Sequence, residues 1–191
     1  MFEPIETERL RIRDVLLSDR DAFYAYMRRE DYWRHVPIEP PTPAWVETFC
    51  KNCVREQDRD PRTHYFLAAT SKDTGAVIGE AILRIENYRH GQAEVGWGVD
   101  SEWTGRGLGT EIGRAMLGLG FSLGLHRLYA RCRVQNMASL RIMAKLGMTE
   151  EGTLRENVNA RGEWWSSAQW SVLRPEKPYA CSPDGAKRIR D

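Results

Sequence analysis

The sequence predicts an α/β (α+β) fold: a mixed, mostly antiparallel central sheet of about seven strands, with helices on both faces and one parallel strand pair. Three observations lead there. Short runs of alternating apolar and polar residues recur between turn-forming residues, as the strands of a meander do. The stretch Thr110 to Leu123 carries apolar residues at helical spacing and lies between two such runs. A right-handed crossover then makes those two strands parallel. Finally, residues 92 to 110 pass from a strand pattern, through Gly105, Gly107 and Gly109, into that helix.

The elements follow in order. Leu10 and Ile12 alternate with Arg9, Arg11 and Arg13, so residues 8 to 14 read as an edge strand with one buried face. Ser18 with Asp21 reads as a capping box that opens a helix from Asp19 to about Arg29, with Phe23, Tyr26 and Met27 on its apolar face. A loop rich in proline and aromatics runs from Tyr32 to Pro43. Thr42 as N-cap and Pro43 at the first helical position start a second helix over 43 to 57. Tyr65 to Thr70 and Ala76 to Ile85 form a hairpin over the turn Lys72 to Gly75, and Gly79 marks a bulge or a close approach.

Asn87 to Gly91 turns the chain into the central strand. There Val95, Trp97 and Val99 face one way, and Glu94, Gly96, Gly98 and Asp100 the other. Gly124 ends the crossover helix, and Leu128 to Val134 alternates as a strand. A short helix then runs to Leu146 and stops at Gly147. Residues 149 to 157 and 164 to 173 close the sheet as a hairpin around Ala160, Arg161 and Gly162. Residues 1–175 read as one domain and 176–191 as a polar tail containing Pro178 and Pro183.

Composition narrows the function. A chain of 191 residues can bury a good core, and its formal net charge of +1 sets up no field for nucleic acid or an anionic membrane. Without an apolar run of membrane length or a signal-peptide core after Met1, the simplest location is cytoplasmic. Cys50, Cys53, Cys132 and Cys181 form no disulfide framework. Cys50-Lys51-Asn52-Cys53 has CxxC spacing, but it lies mid-helix without a second pair, and the histidines show no ligand spacing. No metal is expected, and these thiols read as core packing.

The glycine-rich turn carries the chemistry. Strand, turn and helix N-terminus make a nest of free N–H groups at the positive end of a helix dipole, which suits phosphate, and Arg106 adds a full charge. A P-loop is excluded because no Lys follows the last glycine, and a dinucleotide fingerprint because no third glycine falls in register. Thr104-Gly105-Arg106-Gly107-Leu108-Gly109 fits the last positions of the short R/Q-x-x-G-x-G/A loop that holds the pyrophosphate of coenzyme A. This stretch resembles the GNAT superfamily of N-acetyltransferases. Its flanks, E-V-G-W-G-V and W-x-G-R-G-L-G-T-E, look like the Rim-type ribosomal-protein N-acetyltransferase branch. Asn136 to Met148 is similar to the second GNAT signature. The resemblance covers roughly residues 7 to 174. Three positions depart from it: Thr104 stands where Arg or Gln is commoner, Met148 where an aromatic is usual, and Ser166 where many members carry an acid.

That resemblance implies a GNAT fold whose parallel strands splay apart at the loop. It implies acetyl-CoA as acyl donor. The pantetheine arm would pair near Val99 and with Asn136, and the diphosphate would sit over Trp103, Thr104, Gly105, Arg106, Gly107, Leu108, Gly109 and Thr110. The region between the first strand and the second helix would wall the acceptor pocket with Tyr32, Trp33, His35 and Pro37. The acceptor would be a primary amine on a peptide N-terminus or a small molecule, and many relatives pair as homodimers.

Direct transfer to an amine needs a base, an oxyanion donor and a proton for the thiolate. Glu94 is the expected base, directly or through a water; otherwise it only positions substrate or pairs with an arginine such as Arg131 or Arg133. The amide of Val99 or Asp100 is the expected oxyanion donor. Ser139 is the expected acid unless it only caps its helix, with Tyr129 behind it. The alternative is a non-catalytic acyl-CoA-binding sensor.

Overall fold

Alternating strands and short turns assemble an open eight-stranded sheet in the order β1-β2-β3-β4-β5-β6-β8-β7. The computed structural model describes residues 2–174. The expected polar tail, 176–191, and Cys181 within it lie outside the described residues. The strands are β1 (Ile5–Glu6), β2 (Leu10–Asp14), β3 (His64–Ser71), β4 (Val77–Asn87), β5 (Gln92–Val99), β6 (Arg127–Arg133), β7 (Thr149–Ala160) and β8 (Glu163–Leu173). The helices are α1 (Arg20–Met27), α2 (Glu30–Trp33), α3 (Pro43–Gln57), α4 (Leu108–Ser122) and α5 (Met137–Lys145). Every neighbouring strand pair is antiparallel except β5 and β6.

Several elements depart from the sequence expectation for local reasons. The edge strand is not 8 to 14 but β1, because the Thr7 hydroxyl bonds the Leu10 amide and carbonyl and folds Ile5–Glu6 back onto β2. The Ser18–Asp21 box does not form. Asp19 instead accepts from the Leu16 amide at 2.8 Å and takes a fork of bonds from Arg13 at 2.7 and 2.8 Å, so a 3-10 turn precedes α1. The loop after α1 contains α2. By contrast, α3 has the expected bounds, with Thr42 accepting from the Trp45 amide. The hairpin β7–β8 is longer than expected because Arg161 and Gly162 both have positive φ (52° and 76°), a two-residue turn that lets pairing run up to it.

Two cores sandwich the sheet. On one face α4 and α5 bury Ile112, Met116, Leu117 and Met143 against Val95, Leu83 and Leu128. On the other, α1 and α3 bury Phe23, Tyr26, Val46 and Cys50 against Ala68 and Val15. Each such side chain contributes about 1.5–3 kcal/mol.

The feature that positions the site lies where the cores meet. Strands β5 and β6 pair only at Gln92↔Arg127, Ala93↔Leu128 and Glu94↔Tyr129. Beyond Glu94, β5 stays zipped to β4 as far as Val99, and β6 stays zipped to β8 as far as Arg133. The two strands therefore diverge, leaving a wedge between them.

Candidate active site

The wedge has a polar edge and a charged mouth. The Asp100 amide donates to the Ile78 carbonyl at 2.9 Å, so alternation along β5 turns the peptide groups of Trp97 and Val99 to the opposite edge, facing the wedge. Val99 thus faces the wedge, whereas the N–H of Asp100, the other expected oxyanion donor, is already used by Ile78. At the mouth, helix α4 starts at Leu108, earlier than the expected Thr110, with Gly107 as N-cap at φ 80°. Only glycine adopts that conformation cheaply. The Thr110 amide donates to the Gly107 carbonyl at 3.1 Å, which removes it from the expected phosphate donors. Among the described residues, no carbonyl accepts from the amides of Arg106, Gly107, Leu108 or Gly109. Those amides point out of a helix N-terminus, as an anion site requires.

The loop is braced from outside. Arg9 donates to the Arg106 carbonyl at 2.8 Å and pairs with Glu111, whose carboxylate also accepts from the Thr7 hydroxyl at 2.6 Å. Glu111 is partly buried, yet these donors hold its carboxyl below the usual range. Arg106 lies over the Trp103 ring at 5.1 Å and donates to the Glu102 carbonyl. The Thr104 hydroxyl bonds the Ser101 carbonyl. The free amides, the wedge edge and the exposed guanidinium of Arg106 fit a coenzyme A diphosphate and its extended arm.

A cavity of about 480 Å³ runs through the wedge. Its lining comes from both sheet faces: Trp97, Asn136, Ser139 and Met143 on the α5 side; Glu80, Ile82, Gly96 and Arg131 on the α1 side. Tyr32, His35, Val36, Pro37 and Ile38 form the far wall with Phe49 and Phe66. Trp33 stands outside that wall, packed under the Arg161 guanidinium at 5.2 Å. Burial, with Arg34 and Arg133 nearby, pushes the His35 imidazole below its ordinary value, so it is neutral at pH 7.

The expected catalytic residues have definite surroundings. Glu94 lines the cavity with its side chain 18% exposed. Arg84 binds one of its oxygens, and Arg131 spans both at 3.1 and 3.3 Å. Arg133 pairs with Glu163 instead. Asn136 caps α5 by accepting from the Ser139 amide at 3.1 Å. Ser139 is therefore not the cap, and its side chain is left to the cavity wall. Tyr129 gives its hydroxyl to Glu86, and burial with that bond raises it far above the usual phenol value.

Comparison with known proteins settles the family. The acetyltransferase (GNAT) domain profile matches residues 9–149. The chain belongs to the GNAT acetyltransferase family. An uncharacterised N-acetyltransferase, YnaD of Bacillus subtilis strain 168, is similar at 27% identity over 173 residues, covering 90% of this chain and 98% of that one. The fold matches a GNAT-family acetyltransferase from Bacillus anthracis with a TM-score of 0.80 at 24% identity, over 91% of this chain and all (100%) of that one. It also matches the ribosomal L7/L12 alpha-N-protein acetyltransferase RimL in complex with coenzyme A, with a TM-score of 0.77 at 15% identity, over 90% and 98% of the two chains.

Within this GNAT chain, sequence reasoning missed one residue in the cavity and one that holds its wall. Glu80 on β4 is only 3% exposed, and its carboxylate accepts from the hydroxyls of Tyr26 and, at 2.7 Å, Tyr32. The available signal was a lone acid in the otherwise uncharged run Ala76 to Leu83. Arg161 was read only as part of a turn. Its guanidinium reaches across to the carbonyls of Val36 and Ile38, at 3.0 and 2.5 Å. The CxxC of this GNAT chain packs in the core beneath α1 and α3, where burial pushes Cys50 up to about 11 and Cys53 up to about 12. Among the described residues no cluster of His, Cys, Asp or Glu could hold a metal, and no helix is long and apolar enough to cross a membrane.

Proposed function

We propose that this acetyltransferase uses acetyl-CoA and moves the acetyl group directly to a primary amine, on a peptide N-terminus or a small molecule. The observation that carries this reading is the wedge with a row of free amides at its mouth. A diphosphate held by Arg106 to Gly109 would leave the pantetheine arm along Trp97 and Val99, with Asn136 and Ser139 on the opposite side. The thioester would then meet the apolar cavity in the middle of the sheet.

The acceptor's surroundings support a monocationic amine on an apolar body. Phe49, Phe66, Ile82 and Val36 offer no polar partner to a chain of further ammonium groups, and Arg84 and Arg131 repel one. Glu94, with guanidiniums on both oxygens, suits a fixed charge that positions Arg131 and the cavity floor. Ser139 suits delivery of a proton to the departing thiolate.

The test has two parts. Calorimetry should give a one-to-one heat on titration of acetyl-CoA. A panel of peptide N-termini, arylalkylamines and polyamines should release free CoA with the first two classes ahead. Absence of binding, or release that never exceeds hydrolysis with any amine, would sink the reading.

A further inference from the structure

Glu80 is an acid with no cationic partner. Its carboxylate touches Tyr26 from α1 and Tyr32 from α2, and Gly98 lies directly across from it on β5. A Cβ at residue 98 would stand 2.0 Å from its Oε1, so the carboxyl fills the space a side chain there would need. Asp100, which also bears on Tyr26, is itself paired with Arg29 at 2.9 Å. Arg84, on the same face of β4, is engaged by Glu94. Among the described residues no Lys, Arg or His pairs with Glu80. A carboxyl taken from water with only two hydroxyl donors is costly to keep charged. Such an arrangement is common where a protein uses the group chemically.

Its place matches that use. Glu80 lines the same cavity as Gly96, Trp97 and Ser139, where the thioester would lie. Gly96 and Gly98 carry no side chain on this face, so Ile82 packs over the first and the Glu80 carboxyl lies over the second, which brings Glu80 down onto the β5 floor that leads to Glu94. Glu94 sits at the closed end of that floor, roughly 13 Å along the strand from Gly98, with both oxygens occupied. Each Glu80 oxygen accepts a single bond and retains a lone pair.

We propose that Glu80, and not Glu94, takes the proton from the acceptor amine. The acceptor ammonium gives one proton to the Glu80 carboxylate, which passes it to solvent. The freed nitrogen lone pair attacks the thioester carbonyl carbon, the C–N bond forms and the C–S bond breaks. The second N–H proton ends on the coenzyme thiolate. The Tyr26 and Tyr32 hydroxyls keep the carboxylate aimed across Gly98. Burial raises the Glu80 carboxyl above its ordinary range, against the pull of the two tyrosine bonds, which moves it toward neutrality, where a base is effective.

The inference rests on the acetyl-transfer reading, and its test separates the two. With the best acceptor from the CoA-release panel, Glu80→Gln should lower kcat/KM by about 100-fold or more, while the Kd for acetyl-CoA stays within about twofold. Glu94→Gln should lose clearly less. Tyr32→Phe removes one bond that favours the charged carboxylate, so the acidic limb of its kcat/KM profile should move to higher pH. A Glu80→Gln enzyme with wild-type rate, a larger loss in Glu94→Gln, or a Tyr32→Phe limb that does not move would overturn the role of Glu80 and leave acetyl transfer standing. Should Glu80→Gln fail to fold, the Tyr32→Phe profile decides alone. A wild-type protein that neither binds acetyl-CoA nor releases CoA would instead sink the parent reading.

Discussion

A carboxyl that folding strips of water without giving it a counter-ion must cost stability, and the size of that cost depends on pH. Burial raises the Glu80 carboxyl above its unfolded value, so the folded protein holds this proton more tightly than the unfolded chain. The group's contribution is fully present below the unfolded value of about 4.3 and is lost as pH rises through the folded one. Glu80→Gln has no such titration. Its melting temperature should therefore gain on wild type as pH rises from 5 to 8.5, a comparison that thermal unfolding at both pH values makes directly. A constant difference would mean the carboxyl is not strained by burial. Site residues often trade stability for function in this way. Residue-scale chemistry was also the least legible part of the sequence. Glu94 stood out because its strand alternates cleanly, but the register that brings Arg84 beside it, and Glu80 beside Gly98, is a cross-strand fact. Nothing within either strand's own letters encodes it.

Elements were legible wherever their signals are local. Thr42 and Pro43 fixed the start of α3 because an N-cap bond spans only three residues. The glycine-rich turn and the crossover were legible for the same reason. Elements that depend on partners distant in sequence were not: the Asp19 cap needs Arg13, and β1 needs the Thr7 hydroxyl turned onto Leu10. The loop Arg34 to Ile38 is the functional case. It has few bonds of its own, and Arg161, on the β7–β8 turn, ties the carbonyls of Val36 and Ile38 while stacking on Trp33 and, at 4.5 Å, Trp165. This wall of the cavity thus hangs from the closing hairpin. Hydrogen bonds to charged groups contribute about 1.5–3 kcal/mol, so Arg161→Ala should raise the acceptor KM by about tenfold or more. Acetyl-CoA affinity should be unchanged, since the glycine-rich loop is braced separately by Arg9 and Glu111. Steady-state kinetics varying each substrate in turn would show the split, and a matching loss of acetyl-CoA affinity would refute the hanging-wall account.

At the scale of the whole molecule, the sheet is two blocks of strands joined by a short run of parallel pairing. Strands β1 to β5 form one block and β6 to β8 the other, and only Gln92 to Glu94 pair across. Beyond Glu94 the edge groups of β5 meet no strand, so the cavity between the blocks replaces backbone pairing with space for a ligand that can pair in its stead. An extended amide-bearing arm laid there would act as a missing strand segment and tie the blocks together. Two measurements follow from that. In the ligand-free protein the amides of Trp97 and Val99 should exchange with solvent much faster than those of Val95 and Leu83, which lie in the paired region. Saturating acetyl-CoA should protect both of them, along with the amides of Leu108 and Gly109. Ligand at 100 times its Kd adds about 2.7 kcal/mol, which for a domain of this size raises Tm by very roughly 5–10 °C. Protection confined to the α4 terminus, with Trp97 and Val99 still exchanging freely, would mean the donor is held by its diphosphate alone and does not bridge the two blocks.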